Sequence, residues 1–320
     1  MGSSSHDGRH SVFEVEYDFV SSERFIAKAR GLAADEVILD LEDAVAPAAK
    51  EHARTLIAAA LRAGPWSAPL RAVRINGAAT QWAYKDVIEV VERSGSSLDS
   101  IVLPKVSAPA QVIWLDLLLG QVEQAVDLPP GNIAIEAQIE DAAGLAAVDT
   151  IATSSARLSA LVFGPADFMA SVGMRSLTVG AQPDAYAGGD AFHYAHMQIL
   201  VAARAAGLQA IDGPYASIGD VDGLVAQSAS VASLGYDGKW VVHPSQIDPV
   251  NAAFAPDQVS YDRAEQIIDA YAQATANDHR GAVMLDGEMI DEASRKLALV
   301  AAARGRAAGL RRTTNLSRPG

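Results

Sequence analysis

The sequence contains no cysteine, which removes disulfides, thiolate nucleophiles and cysteine-bound zinc from the chemistry open to it. No uninterrupted apolar run approaches the ~20 residues of a membrane-spanning helix. There is no secretory signal pattern either, so the expectation is a soluble, cytoplasmic protein with no membrane partner. Basic residues are scarce: 25 Lys and Arg against 39 Asp and Glu give a formal net charge of -14. That field repels polyanions and no long basic stretch offsets it, so nucleic acid is not an expected partner. A small anionic ligand would need a few Arg and Lys converging locally.

What is present is apolar and alternating. Half of the 320 residues are hydrophobic, enough for one large α/β barrel or two ordinary domains. Short β-rich runs at 11–20, 36–41, 70–76, 100–106, 132–140, 160–167, 208–214 and 239–244 alternate with Ala-rich segments of helical spacing, such as APAQVIWLDLLLGQVEQAV. Strands separated by helices imply β/α units on a parallel sheet, and about eight of them predict an α/β fold of the (β/α)8 TIM-barrel type. The first run is the poorest strand, because Glu14, Glu16 and Asp18 alternate with apolar residues. From about 255 the pattern changes to a helix, a ribbon AVMLDGEMI turning at Asp286-Gly287, and a last helix ending near Gly309. The expected organisation is a catalytic barrel over 11–254, a C-terminal module over 255–310, and loose termini at 1–10 and 311–320.

Nearly every apolar strand ends in a polar residue. Asp40, Glu42 and Asp43 close the second, Arg74 and Asn76 the third, Lys105 the fourth, Glu140 the fifth, Asp167 the sixth, Asp212 the seventh and His243 the eighth. In a barrel these ends share one mouth, where active sites of this fold are built. Glu140 and Asp167 would repel each other unless a cation lies between them. Oxygen-only ligands favour Mg2+ or Mn2+. The competing reading is that each carboxylate caps the helix that follows it. Arg74 is either a structural ion-pair partner or a fixed cation for a developing oxyanion. Asp291, before EASRKLALV, reads from the residues alone as a helix N-cap.

The segments VILDLEDAV, VRING, VLPKV, Glu140 before DAAGL, FGPADF and HPSQI resemble, in order and spacing, the citrate lyase β-subunit or HpcH/HpaI aldolase family of CoA-ester lyases. Within it, WAYKDVIEVVE, GYDGKWVVHPSQI and the long C-terminal segment are most similar to the malyl-CoA (β-methylmalyl-CoA) lyase branch. The resemblance implies Mg2+ held by Glu140 and Asp167, Arg74 as the catalytic arginine, and Glu42 and Asp43 lining the mouth beside the metal-bound waters. It implies that Asp291 reaches a neighbouring subunit's site as acid/base, hence a homotrimer or homohexamer whose C-terminal module packs on or swaps to its neighbour. Arg24, Lys28, Asn76, Lys105 and His243 become candidates for contact with the substrate or its CoA. The family's opening strand of the type R-S-x-L-F-x-P-G is replaced here by SVFEVEYDFVSSERF, in a region that helps form the CoA end of the pocket.

The activity implied is reversible Claisen-type cleavage of a 3-hydroxyacyl-CoA such as malyl-CoA to acetyl-CoA and glyoxylate. The alternatives are a CoA-independent metal aldolase on a small 2-oxo acid, a malyl-CoA thioesterase or citrate lyase β-like subunit, and a non-catalytic ligand-binding homologue.

Overall fold

The computed structural model describes residues 11–15, 28–183, 186–278 and 281–313. They fall into two compact units, one running to Asn251 and the other starting at Ala252.

The first unit is α/β, built on a curled parallel sheet. Its strands are β1 (Ser11–Val15), β2 (Glu36–Asp40), β3 (Leu70–Arg74), β4 (Ser100–Leu103), β5 (Ala134–Ile139), β6 (Leu158–Phe163), β7 (Gln209–Asp212) and β8 (Gly238–Val241). Each pairs in parallel with its sequence neighbour, and β1 also pairs with β8, Val12 opposite Trp240, which closes the sheet. The weakest strand of the sequence reading thus makes the closing contacts. Its expected continuation over 16–20 lies outside the described residues.

Strands buried on both faces read as unbroken apolar runs, and β2 (EVILD) and β4 (SIVL) are buried at every position. Ile38, Ala72, Val102, Ala160, Val162, Ile211 and Trp240, from six strands, form one core cluster inside the sheet. Helices follow every strand from β2 onward: α1 (Lys50–Arg62), α2 (Ala83–Ser94), α3 (Pro109–Ala125), α4 (Ala142–Ala146), α5 (Val148–Ala152), α6 (Pro165–Ser171), α7 (His193–Ala206), α8 (Val221–Leu234) and α9 (Ile247–Phe254). Between β1 and β2 only residues 28–35 are described. No helix among the described residues is long and apolar enough to cross a membrane.

The second unit contains α10 (Gln258–Asp278), a two-stranded ribbon of β9 (Val283–Leu285) and β10 (Glu288–Ile290), and α11 (Glu292–Ala307). Asp286 and Gly287 both have positive φ, 52° and 86°, the conformation a two-residue hairpin needs to match strand twist. Arg263 clamps this turn by donating to Asp286 at 2.6 Å and Glu288 at 2.9 Å. Helices α10 and α11 pack through Tyr261, Ala264, Ala298 and Ala302. Gly305 is required there, since a Cβ would lie 2.2 Å from the Tyr261 ring.

Candidate active site

The C-terminal ends of β2 to β6 bring a set of charged side chains together. At the end of β2, Asp40 is fully buried. It accepts from Arg74 Nε at 2.7 Å and from the backbone N–H groups of Glu42 (2.8 Å) and Ala44 (3.1 Å). Burial pushes its carboxyl up, but the Arg74 charge and these hydrogen bonds outweigh it and hold Asp40 below the usual range. Arg74 lies 5.5 Å from the Trp240 ring centroid and 3.6 Å from Glu42 Oε2. Three groups therefore orient one guanidinium: a carboxylate at its Nε, an aromatic ring and a second carboxylate.

Lys105 follows β4 with φ 54°, unusual for a residue with a side chain. Local bonds explain the conformation: its N–H donates to Glu140 Oε1 at 2.5 Å, and its carbonyl accepts from Gln111 Nε2 at 3.0 Å. The Lys105 ammonium reaches Glu42 at 2.7 Å, Asp43 at 3.2 Å and Asp167 at 3.7 Å, so it bridges two carboxylates of the loop after β2 and one at the start of α6. Burial works against its charge, yet these anions raise the Lys105 pKa well above its ordinary value. Glu42 moves up, because burial outweighs Arg74 and Lys105.

Glu140 follows β5 and is buried. Its second oxygen accepts from Gln138 Nε2 at 2.6 Å. Burial, then the neighbouring Glu42 and Asp167, push its pKa up to about 8 against the stabilising Lys105 N–H. Gly164, just before α6, makes room for this side chain, since a Cβ there would lie 2.4 Å from Glu140 Cβ and 2.7 Å from Oε2. Asp167 lies in the first turn of α6 with its side chain 44% exposed.

The capping alternative for these two carboxylates is not what the structure shows. Asp141, not Glu140, caps α4 by accepting from Gly144 N, and α6 starts at Gly164 without a side-chain cap. Among the described residues no three His, Asp or Glu side chains form a metal cluster. A Mg2+ site nevertheless needs only one or two carboxylates, the rest of its shell being water and substrate oxygen. The donor chemistry fits such an ion: two carboxylates that could hold it, one of them raised by burial and by its anionic neighbours, beside Glu42 and Asp43.

The remaining candidates are placed as follows. Asn76 is buried. Its Nδ2 donates to Leu41 O at 3.0 Å and Asp86 at 2.6 Å, and Arg54 completes that network by donating to Asp86 at 2.7 Å. His243 accepts from Ser245 N at 3.2 Å through Nδ1 and so caps the short turn Pro244–Gln246. Lys28 is exposed, and Arg24 lies outside the described residues. Asp291 belongs to the second unit, where it caps α11 by accepting from Ser294 N at 3.0 Å.

Sequence reasoning missed Gln138 and Lys50. The buried Lys50 ammonium donates to the carbonyls of Leu41 and Glu42, each at 2.9 Å, and so braces the loop after β2. It also left Asp212 without a partner. Asp212 accepts from Lys239 at 2.5 Å and contacts His196 Nε2 at 3.0 Å, all three being buried.

A parallel strand-helix sheet with acidic residues, an arginine and a lysine gathered at its strand ends defines a class. The chain belongs to the HpcH/HpaI aldolase/citrate lyase family, whose model matches residues 19–244. It is 38% identical over 281 residues to an L-malyl-CoA/beta-methylmalyl-CoA lyase of Cereibacter sphaeroides, covering 85% of this chain and 88% of the relative. A (3S)-malyl-CoA thioesterase of the same species is 34% identical over 282 residues, covering 88% and 90%. Among solved structures, protein CitE from Mycobacterium tuberculosis in complex with magnesium, acetoacetate and coenzyme A superposes with a TM-score of 0.71 at 27% identity, covering 93% of this chain and 98% of that one.

Proposed function

We propose that this protein is a Mg2+-dependent carbon-carbon lyase that cleaves a 3-hydroxyacyl-CoA such as malyl-CoA to acetyl-CoA and glyoxylate, reversibly. The observation that carries the proposal is the pairing, in one mouth, of an oriented arginine with a carboxylate whose pKa burial, and then its anionic neighbours, raise to about 8. Glu140 and Asp167 would hold the ion, with Glu42 and Asp43 beside it. A bound Mg2+ supplies Lewis acidity and a template at the oxo-acid end of the substrate.

In cleavage the substrate hydroxyl gives its proton to a carboxylate of the mouth acting as base, and the bond between the hydroxyl-bearing carbon and the CoA-side methylene breaks. Its electron pair passes to the thioester as an enolate, and glyoxylate leaves. Arg74, fixed by Asp40 and Trp240, stabilises the enolate oxygen. Protonation of the enolate carbon then yields acetyl-CoA. Asp291 of an adjacent protomer supplies that proton, and in condensation it removes it. Lys105 keeps Glu42, Asp43 and Asp167 together. Arg24, Lys28 and His243 remain the candidates for the CoA end, whereas the structural bonds of Asn76 favour a bracing role.

This reading includes a complete (β/α)8 TIM barrel over 11–254 and a module over 255–310 that engages a neighbouring subunit in a homotrimer or homohexamer. Cytoplasmic location goes with it. The thioesterase relative supports one second reading, in which water attacks the thioester instead. Product analysis separates the two: glyoxylate with acetyl-CoA supports the lyase, and malate with free CoA supports the thioesterase.

A further inference from the structure

We infer that Gln138 is the positioning residue for Glu140, and that it acts through its amide N–H rather than its bulk. The inference rests on the proposed Mg2+ reading of Glu140 and goes on to name what holds that carboxylate in place.

Gln138 and Glu140 are two residues apart at the end of an extended strand, so their side chains share one face. Gln138 is a polar residue with only 4% of its surface exposed, in a strand otherwise filled by Ile, Ala and one further buried polar residue, Glu136. Its Nε2 donates to Glu140 Oε2 at 2.6 Å. The other oxygen, Oε1, accepts from the Lys105 N–H at 2.5 Å. One donor on each oxygen fixes the plane of the carboxylate, and once the group is ionised to hold a cation a neutral donor makes a short, strong bond with it. The third side of the cradle is Gly164, where a Cβ would come within 2.9 Å of Gln138 Nε2 as well as against Glu140.

A further detail favours the donor over packing. The Gln138 amide oxygen is buried without a hydrogen-bond partner among the described residues. A buried acceptor left unpaired is costly. An amide that only filled space would not be held in an orientation that leaves its oxygen unpaired, so the bond to Glu140 sets the orientation.

The test is Mg2+ titration calorimetry on the wild-type protein and on Gln138→Met, which keeps length and volume but removes the donor, with thermal melting recorded alongside. The Mg2+ dissociation constant is expected to rise roughly 10- to 100-fold, as outer-sphere partners of metal ligands typically give, while the melting temperature stays close to wild type. Gln138→Asn, which keeps the amide but withdraws it from Oε2, is expected to show the same loss and serves if the Met variant does not fold. Wild-type affinity in either folded variant overturns the inference and leaves the metal reading intact. A wild-type protein that does not bind Mg2+ overturns both.

Discussion

Arg74 donates its Nε to Asp40 Oδ1 at 2.7 Å, and the two residues face each other across neighbouring strands, Asp40 paired with Arg74 in the β2/β3 register. The guanidinium is thus anchored by a carboxylate that two backbone N–H groups already hold. Its orientation is set before any substrate arrives.

Asp40→Asn tests that anchor. It preserves shape but removes the buried charge, and breaking a buried ion pair is expected to cost on the order of 3 kcal/mol in denaturant unfolding. Lyase turnover in the folded fraction should fall about 10- to 100-fold, since each factor of ten is about 1.4 kcal/mol of barrier. Unchanged turnover would show that Arg74 does not depend on Asp40.

Arg74→Lys should lose activity by orders of magnitude while Mg2+ binding persists. A lysine carries the charge but cannot donate a planar fork to Asp40 and a developing oxyanion together. Steady-state kinetics with malyl-CoA decide this, and a variant within a few-fold of wild type would rule out the arginine's assigned role.

Asp167→Ala should abolish Mg2+-dependent turnover while unfolding stays within about 0.5 kcal/mol of wild type, as expected for a half-exposed side chain whose ion-pair contact is long. An active variant that needs no metal would remove the metal assignment.

Asp291 offers a test of assembly. Asp291→Asn retains the cap on α11, which such a residue stabilises by about 1 kcal/mol, yet should be inactive. Mixing it with inactive Arg74→Ala protein, after subunit exchange, should recover measurable turnover if one protomer's Asp291 serves another's Arg74. No recovery on confirmed exchange would place both residues in one protomer or remove Asp291 from the chemistry.

The buried His196 predicts a pH dependence of stability. Burial alone would lower its pKa, but Asp212 at 3.0 Å and Asp190 at 3.7 Å raise it from 6.5 to about 9. A folded value above the unfolded one means that the contribution is complete below pH 6.5 and is lost as pH rises through about 9. The loss should amount to at most about 3 kcal/mol. Urea unfolding across this range should show the decline, and His196→Asn should flatten it. Stability that rises with pH over the same interval would contradict the assignment.

Much of the architecture was legible because parallel strands buried on both faces leave an unbroken apolar signature, as in EVILD and SIVL. The hairpin was legible because Asp286-Gly287 can adopt positive φ at both turn positions. Glu140 and Asp167 could be read as strand-end carboxylates. Which carboxylate of DLED meets the arginine was not legible, because the β2/β3 register, not composition, sets Asp40 opposite Arg74, and the loop after β2 leaves Asp43 exposed. The partner of Asn76 was not legible for a similar reason: Asp86, ten residues on, returns along α2 to take its amide. The one available signal for Gln138 was a polar residue two positions before Glu140 in an apolar strand.

The central claim is metal-dependent carbon-carbon cleavage, and the direct measurement is glyoxylate release from malyl-CoA, trapped with phenylhydrazine, with Mg2+, with EDTA, and after Mg2+ is restored. The account predicts release that EDTA stops and Mg2+ recovers, with acetyl-CoA formed in equal amount. Malyl-CoA left uncleaved by Mg2+-loaded protein, or cleavage that EDTA does not affect, would contradict it.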